Sequence, residues 1–283
     1  MVHRAYPPNV RSHGLVDSPS GIGANGHACW SYEELAGDFR DAAVAFLSEG
    51  TDLGQALMFV GGPEAEEVLR SVEPTSSMVA DGSLQIAPFD SVYPGGRRMP
   101  NTDQWNAYVG ATEQAREAGF TGLRVLAEVT SLASPAGAWH EQALWESYAD
   151  RRMADFSLAA LCCFDRSAVP AAGLAAIASA HPVVDRRLED IVPFRLFGRA
   201  DAVAIAGEVD AFSSATLRHL LSAGDAMQGD QVFDLAELTF IEHTGLRALH
   251  EYAQGVRDRG LSVTVRGGSP TMRRLADLLG VTL

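Results

Sequence analysis

All 22 basic residues of this 283-residue chain are arginine; it contains no lysine. That closes off one chemistry, because a Gly-x-x-x-x-Gly-Lys-Ser/Thr phosphate loop needs the lysine to reach the β- and γ-phosphates of a nucleotide. The glycine turn after the first apolar run, Gly61-Gly-Pro-Glu-Ala-Glu-Glu67, offers three carboxylates that would repel a triphosphate. His27, Cys29, Cys162 and Cys163 are ligand-type residues, and His27 and Cys29, two apart, could share one face of a strand. Neither Cys-x-x-Cys nor His-x-x-x-His spacing occurs, so no metal site and no cofactor are expected. The three cysteines read as small buried hydrophobes in a reducing compartment. No Gly-x-Ser-x-Gly, paired-carboxylate or Cys/His nucleophile signature stands out, and the chain is not expected to be an enzyme.

Composition narrows the partners. The net charge is −14, and residues 1–193 carry 13 Arg against 25 acidic residues while 194–283 carry 9 against 11. No clustered basic surface for nucleic acid is expected from such a balance. No apolar run reaches the length of a membrane span and no apolar leader is visible, so the expected location is cytoplasmic.

The elements that must position these residues follow from periodicity. Ser31-Tyr-Glu-Glu34 has the pattern of a capping box opening a helix that Gly50 would end. Residues 55–60, 84–89, 123–129 and 156–164 read as strands, the second followed by a Pro/Gly loop over 90–100. Helices are expected from Pro63, over 101–118, 135–153 and 170–180. Alternation of this kind predicts a mostly parallel sheet with helices on both faces. His181-Pro182 breaks the last helix, and Val183–Pro193 reads as a charged connector. Beyond it the texture changes to strands at 194–198, 202–206, 231–235 and 261–265, with helices at 215–227, 244–259 and 270–279. The expected organisation is a first domain over 14–185, a linker over 186–193 and a second domain over 194–283.

The order of these elements, with FDLAELTFIEHTGLRAL at 233–249, resembles the STAS family of anti-sigma-factor antagonists. Supporting marks are Gly207-Glu-Val-Asp210, Asp234-Leu235, Gly260-Leu-Ser-Val263 and Ser269-Pro270. The resemblance implies a mixed sheet with helices packed on it, and a strand-to-helix loop that docks on an anti-sigma factor or histidine-kinase-like protein. In that family a serine at the helix start is phosphorylated to end binding. Here the loop reads Glu242-His243-Thr244-Gly245, with His243 at the matching position, so the usual switch is expected to be missing and Thr244 to cap the helix. A second reading makes Thr244 the phosphoacceptor.

The first domain resembles the MEDS sensory family, a RecA/KaiC-like module. The resemblance rests on Gly26-His-Ala-Cys29 with Tyr32, on Gly119-Phe-Thr-Gly-Leu-Arg124 with Glu128, on Leu161-Cys-Cys-Phe-Asp165 and on His181-Pro182. It implies a three-layer α/β/α domain that senses a small, apolar ligand. In such sheets the crevice lies beyond the carboxyl ends of the strands, which points to His27, Trp30, Tyr32, Gly61, Glu128 and Ser131 as a pocket. Trp105, Trp139 and Trp145 could also line an apolar cavity, although ordinary core packing is the plainer role for any one aromatic. The whole chain then reads as a signalling adaptor, with a homo-oligomer compatible. Alternatives are a RecA-like enzyme with an altered nucleotide site and a scaffold without ligand.

Overall fold

The computed structural model describes residues 11–134, 138–226 and 229–280. The expected helix limits Pro135 and Met227 and the last three residues lie outside the described residues. Seven strands make the first sheet: β1 (Gly14–Val16), β2 (His27–Tyr32), β3 (Ala56–Gly61), β4 (Leu84–Pro88), β5 (Leu123–Glu128), β6 (Leu158–Asp165) and β7 (Val183–Asp185). They lie in the order β1-β7-β2-β6-β5-β3-β4, every pair parallel. Central parallel strands are covered on both faces, and β2 and β5 are buried along their whole length.

One face of the sheet packs against α1 (Arg40–Asp52), α2 (Pro63–Ser71) and α3 (Thr75–Ala80), where Phe39, Phe46 and Leu47 meet Phe59, Leu126 and Leu161. Single turns α4 (Phe89–Val92) and α6 (Thr130–Ala133) follow strand ends. The other face is covered by α5 (Asn101–Glu117), α7 (Ala138–Met153) and α8 (Ala171–Ala178) over Val125, Ala127, Cys162 and Phe164. The N-terminal part is therefore the expected α/β/α sandwich.

The second sheet contains β8 (Phe194–Arg199), β9 (Ala202–Val209), β10 (Gln231–Leu235), β11 (Leu238–Ile241) and β12 (Val263–Gly267). Its order is β11-β9-β10-β12, with β8 antiparallel to β9. Helices α9 (Ser214–Ser222), α10 (His243–Asp258) and α11 (Pro270–Leu279) complete it. The apolar core runs without a break from Leu174 and Ile177 of α8 into Phe194, Leu196 and Ile205 of this sheet, so the two parts share one interior.

Four expectations are corrected. Ser31 does not cap a helix: it lies buried in β2, its hydroxyl donating to Asp185 Oδ2 at 2.8 Å, because β2 is a fully covered strand rather than a lead-in. The turn at Gly61 follows the third strand in chain order, not the first. Gly50 lies inside α1, where it makes room for Arg124; a Cβ would come within 2.4 Å of Arg124 Cδ. Val183–Asp185 is a strand of the first sheet rather than a connector, since Val183 and Val184 are fully buried there.

One edge of β9 pairs with β8 over 202–207 and with β11 over 207–209. Gly207 stands at the handover with φ +93°, and a Cβ on it would lie 2.5 Å from the Pro193 carbonyl oxygen. Strain and clash fall on backbone that cannot swing away. We expect Gly207→Ala to destabilise the protein by about 2 kcal/mol or more. Gly62→Ala, at an ordinary φ with open space around it, should stay within about 0.5 kcal/mol. Urea midpoints for the two variants measure the difference.

Candidate functional site

Strand alternation decides where the expected site residues go. In β2 the side chains of His27, Cys29 and Ser31 point to one face of the sheet and those of Ala28, Trp30 and Tyr32 to the other. The six expected pocket residues are therefore dispersed. Tyr32, Glu128 and Ser131 line an open crevice at the carboxyl ends of the strands, together with Glu64, Asp90 and Asp165. There the Tyr32 hydroxyl donates to Glu128 Oε1 at 2.9 Å, and the Thr130 N–H donates to the same oxygen at 3.2 Å. Burial, then the charge of Glu128, pushes the Tyr32 phenol up. Trp30 borders a separate surface hollow with Asp38, Asp185 and Arg187. Gly61 ends β3 with the Phe59 ring where its Cβ would be. His27 alone faces the interior beneath α7.

What His27 meets there is the most concentrated polar group in the interior. Helix α7 presents Gln142, Glu146 and Asp150, spaced four apart and all buried, toward the sheet. His27 Nδ1 lies 3.0 Å from Asp150 Oδ1, and His27 Nε2 lies 3.3 Å from Glu146 Oε2. The Cys162 thiol lies 3.6 Å from Glu146 Oε2 and 3.6 Å from His27 Nε2. His181, just before Pro182, lies against His27 with ring centroids 4.0 Å apart and the rings tilted by 40°, and its Nε2 is 3.6 Å from Glu146 Oε2. The donor atoms of His27, Glu146, Cys162 and His181 all lie within 4.8 Å of one another, a set able to hold a metal ion.

The charges in this group balance. Burial pushes the Glu146 carboxyl up, but the hydrogen bond from His27 and the charges of His181, His27 and Arg98 outweigh it and hold it at about 2. Burial likewise opposes ionisation of Asp150, whereas the Arg11 guanidinium and the His27 hydrogen bond bring it to about 2. The His27 imidazole, disfavoured as a cation by burial, is raised above its usual value by Asp150 and Glu146. Burial and the neighbouring His27 push His181 down to about 4, so it is neutral at physiological pH. Burial, then Glu146, pushes the Cys162 thiol well up.

Beside this group lies a cavity of about 30 Å³, room for roughly two water-sized atoms. His27, Glu146 and Cys162 share its wall with Tyr93, Trp105, Tyr108 and Trp145. Of the three tryptophans expected as cavity residues, Trp105 and Trp145 reach it; Trp139 packs on Gly173 of α8 instead. Arg98, half-buried, donates from Nη2 to Gln142 Oε1, and Gln142 Nε2 donates to Glu146 Oε1. Cys29 and Cys163, considered with His27 for a metal, stand outside the four-residue set. Glu146 and His181 were missed because they lie far from His27 in the chain. The readable signal was the 142, 146, 150 polar stripe on an otherwise buried helix.

The same carboxylates reach the second sheet. Asp150 Oδ2 accepts the Gly198 N–H of β8 at 2.6 Å, and Arg11 bonds both Asp150 Oδ1 at 2.7 Å and the Gly198 carbonyl at 3.0 Å. One helical step away, Ser147 Oγ and Arg151 Nη2 donate to the Leu220 carbonyl of α9 at 3.1 and 3.2 Å. In the C-terminal loop Glu242, with extended backbone, precedes α10 without a side-chain cap, and its N–H donates to the Val209 carbonyl at 2.8 Å. His243 is exposed, 3.0 Å from Glu242 Oε1. The Thr244 hydroxyl is turned inward and finds no partner among the described residues, so it does not cap the helix and does not face solvent. Gly245 is buried, with Val209 and Ile241 within 3 Å of where a Cβ would stand. Phe212 and Phe240, 93% and 49% exposed, stand at the same end of the sheet. The Phe212 loop is braced by reciprocal hydrogen bonds, Ser213 N–H to Asp210 Oδ1 at 2.8 Å and Asp210 N–H to Ser213 Oγ at 2.9 Å.

A small cavity with a polar wall is hydrogen-bonded through one helix to a second α/β part with exposed aromatics, a two-part architecture. The sequence profile described as MEthanogen/methylotroph, DcmR Sensory domain, MEDS, matches residues 26–182, and that described as Mlab, STAS domain, matches residues 194–282. The chain belongs to the MEDS family and carries a STAS domain behind its sensory domain. No curated protein gives a match. Among the described residues no helix is long and apolar enough to cross a membrane.

Asp150 is fully buried and serves three donors at once. Asp150→Ala should cost about 3–5 kcal/mol, because it leaves Arg11 and His27 buried without their counter-charge. Asp150→Asn, which keeps the shape and an acceptor, should cost distinctly less. Denaturant unfolding followed by tryptophan fluorescence and by far-UV circular dichroism tests both.

Proposed function

We propose that the chain is a regulator rather than an enzyme. Its MEDS domain takes a small apolar ligand into the aromatic-walled cavity, and its STAS domain passes the result on by docking an anti-sigma factor or related histidine-kinase-like protein in the cytoplasm. The observation that carries this reading is the hydrogen-bonded path from the cavity wall to the STAS sheet, His27 to Asp150 to the Gly198 N–H. A ligand that seats against Glu146, Tyr108 and Trp145 displaces α7, and α7 carries the contacts to β8 and α9. Such coupling works only if the ligand binds two states of the protein with different affinity. The docking surface in this reading is the Glu242–Gly245 loop with Phe212 and Phe240 beside it.

Phosphate plays no part at this loop. His243 occupies the switch position, and the Thr244 hydroxyl is enclosed. Incubation with a cognate anti-sigma kinase and ATP should leave the protein unlabelled; phosphate mapped to Thr244 by mass spectrometry would overturn this.

The sensing claim is tested by hydrogen exchange on the full chain with a series of small chlorinated and methylated hydrocarbons. A binder at 100 times its dissociation constant should add about 2.7 kcal/mol to stability. It should also change protection in β8 and α9 as well as around the cavity. Protection changes confined to the open crevice near Tyr32 and Glu128 would sink the reading. For docking, Phe212→Ser with Phe240→Ser should weaken a kinase-like partner at least about tenfold, since exposed aromatics at such a surface carry much of the binding energy.

A further inference from the structure

The donor atoms of His27, Glu146, Cys162 and His181 converge within 4.8 Å of one another, at separations longer than good hydrogen bonds between nitrogen and oxygen. Metal–ligand bonds of about 2.0–2.3 Å put the donors of a tetrahedral site about 3.3–3.8 Å apart. The observed separations are 3.3 Å for His27 Nε2 to Glu146 Oε2, and 3.6 Å for each of His27 Nε2 to Cys162 Sγ, Cys162 Sγ to Glu146 Oε2 and His181 Nε2 to Glu146 Oε2. A second observation is independent of these edges. His181 is fully buried and its Nδ1 is committed to the Ile177 carbonyl at 2.9 Å, which leaves a lone pair on Nε2. That lone pair has no hydrogen-bond partner and faces a carboxylate oxygen. A fully buried imidazole nitrogen without a hydrogen bond, 3.6 Å from a carboxylate oxygen, is a place where a bound cation would satisfy both groups. Third, each imidazole is held by its other nitrogen, His27 on the Asp150 carboxylate and His181 on a backbone carbonyl, as ligating histidines are in protein metal centres.

We propose that His27 Nε2, Glu146 Oε2, Cys162 Sγ and His181 Nε2 form a binding site for one first-row divalent transition ion, with Zn²⁺ the leading occupant. Nitrogen and thiolate donors select this class over Mg²⁺ or Ca²⁺. Binding exchanges two protons, one from the Cys162 thiol and one from the His27 imidazolium, for one divalent ion, and both protons pass to water. The charge balance is preserved: the ion is matched by Cys162 and Glu146, and Asp150 by Arg11. Glu146 and Cys162 also line the cavity, so the ion would stand in its wall. The proposal does not depend on which small ligand the cavity takes.

Full-length protein stripped with a chelator should take up one Zn²⁺ per chain in competition with a chromophoric chelator. Loaded with Co²⁺ instead, it should show the visible d–d bands of a tetrahedral ion and a thiolate charge-transfer band in the near ultraviolet. Cys162→Ser should abolish that band while Cys163→Ser, on the opposite face of β6, retains it. Asp150→Asn, which keeps all four ligands and changes the group that positions His27, should weaken Zn²⁺ binding to the folded protein about 10- to 100-fold. If Cys162→Ser does not fold, His181→Gln serves in its place and should lower affinity while keeping the thiolate band. Folded wild-type protein that takes up no Zn²⁺ at micromolar free ion, or a thiolate band that survives in folded Cys162→Ser, overturns the assignment.

Discussion

A carboxylate without access to water holds the two halves of this chain together. Asp150 accepts from His27 of the sensory sheet, from Arg11 of the N-terminal segment and from the Gly198 N–H of the STAS sheet. Each partner lies in a different part of the chain, and no single one satisfies the carboxylate. An ion buried this deeply adds little net stability, since its lost hydration offsets most of the Coulomb gain. What it adds is selection among arrangements: a half-satisfied buried network is costly, so α7 has one register in which β2, Arg11 and β8 are all served. The close approach is tight enough that Gly198 cannot carry a side chain, a Cβ there meeting the Arg151 backbone at 2.8 Å.

From that constraint the division of labour in the sensory sheet follows. Because a strand alternates its faces, the segment His27-Ala-Cys-Trp-Ser-Tyr32 sends its histidine toward α7 and its two large aromatics toward α1 and the carboxyl-end crevice. The crevice rule for open α/β sheets finds a real hollow with Tyr32, Glu128 and Ser131, but it stands open and mixes four carboxylates with Leu35, Pro63, Ala65 and Phe89. The apolar cavity lies within a layer, between sheet and helices. Arg124 shows the same sorting: next to Val125 in β5 but on the α1 side, it is wholly buried over the Phe46 ring and paired with Glu49 at 2.5 Å. That pairing accounts for Gly50 within the helix.

Much of the fold was legible because long buried strands and helices write their period into the sequence. The Gln231–Leu235 strand and the Pro270–Leu279 helix have the limits that periodicity set. The strands that went unread, β1, β2, β7 and β11, are short or polar: β1 and β7 have three residues each, Ser31 and Tyr32 inside β2 imitate a helix cap, and β11 is four residues with Thr239 and Phe240 facing outward. The polar centre was legible only in part. His27 and Cys162 could be singled out by type, but their companions come from α7 and from the turn before β7. Parallel topology joins such residues across more than a hundred positions, and no local spacing records it. The i, i+4, i+8 stripe of Gln142, Glu146 and Asp150 was the one trace, since a helix buried on both sides has no solvent-related reason to carry acids on one line.

The C-terminal loop stands at the far end of this network. A phosphorylated side chain at a helix start works as a switch because the modified atom is both reachable and part of the docking surface. Here those two properties are separated. His243 is reachable but is not the usual acceptor, and the Thr244 hydroxyl is enclosed behind it with Gly245 packed on Val209 and Ile241. The loop is tied instead to β9, the neighbour of the strand it follows, through the Glu242 N–H on the Val209 carbonyl, and β9 is paired to β8, whose Gly198 hangs on Asp150. From α7 to the loop the connection runs through the Asp150 side chain to β8 and then by backbone hydrogen bonds from β8 to β9 to Glu242.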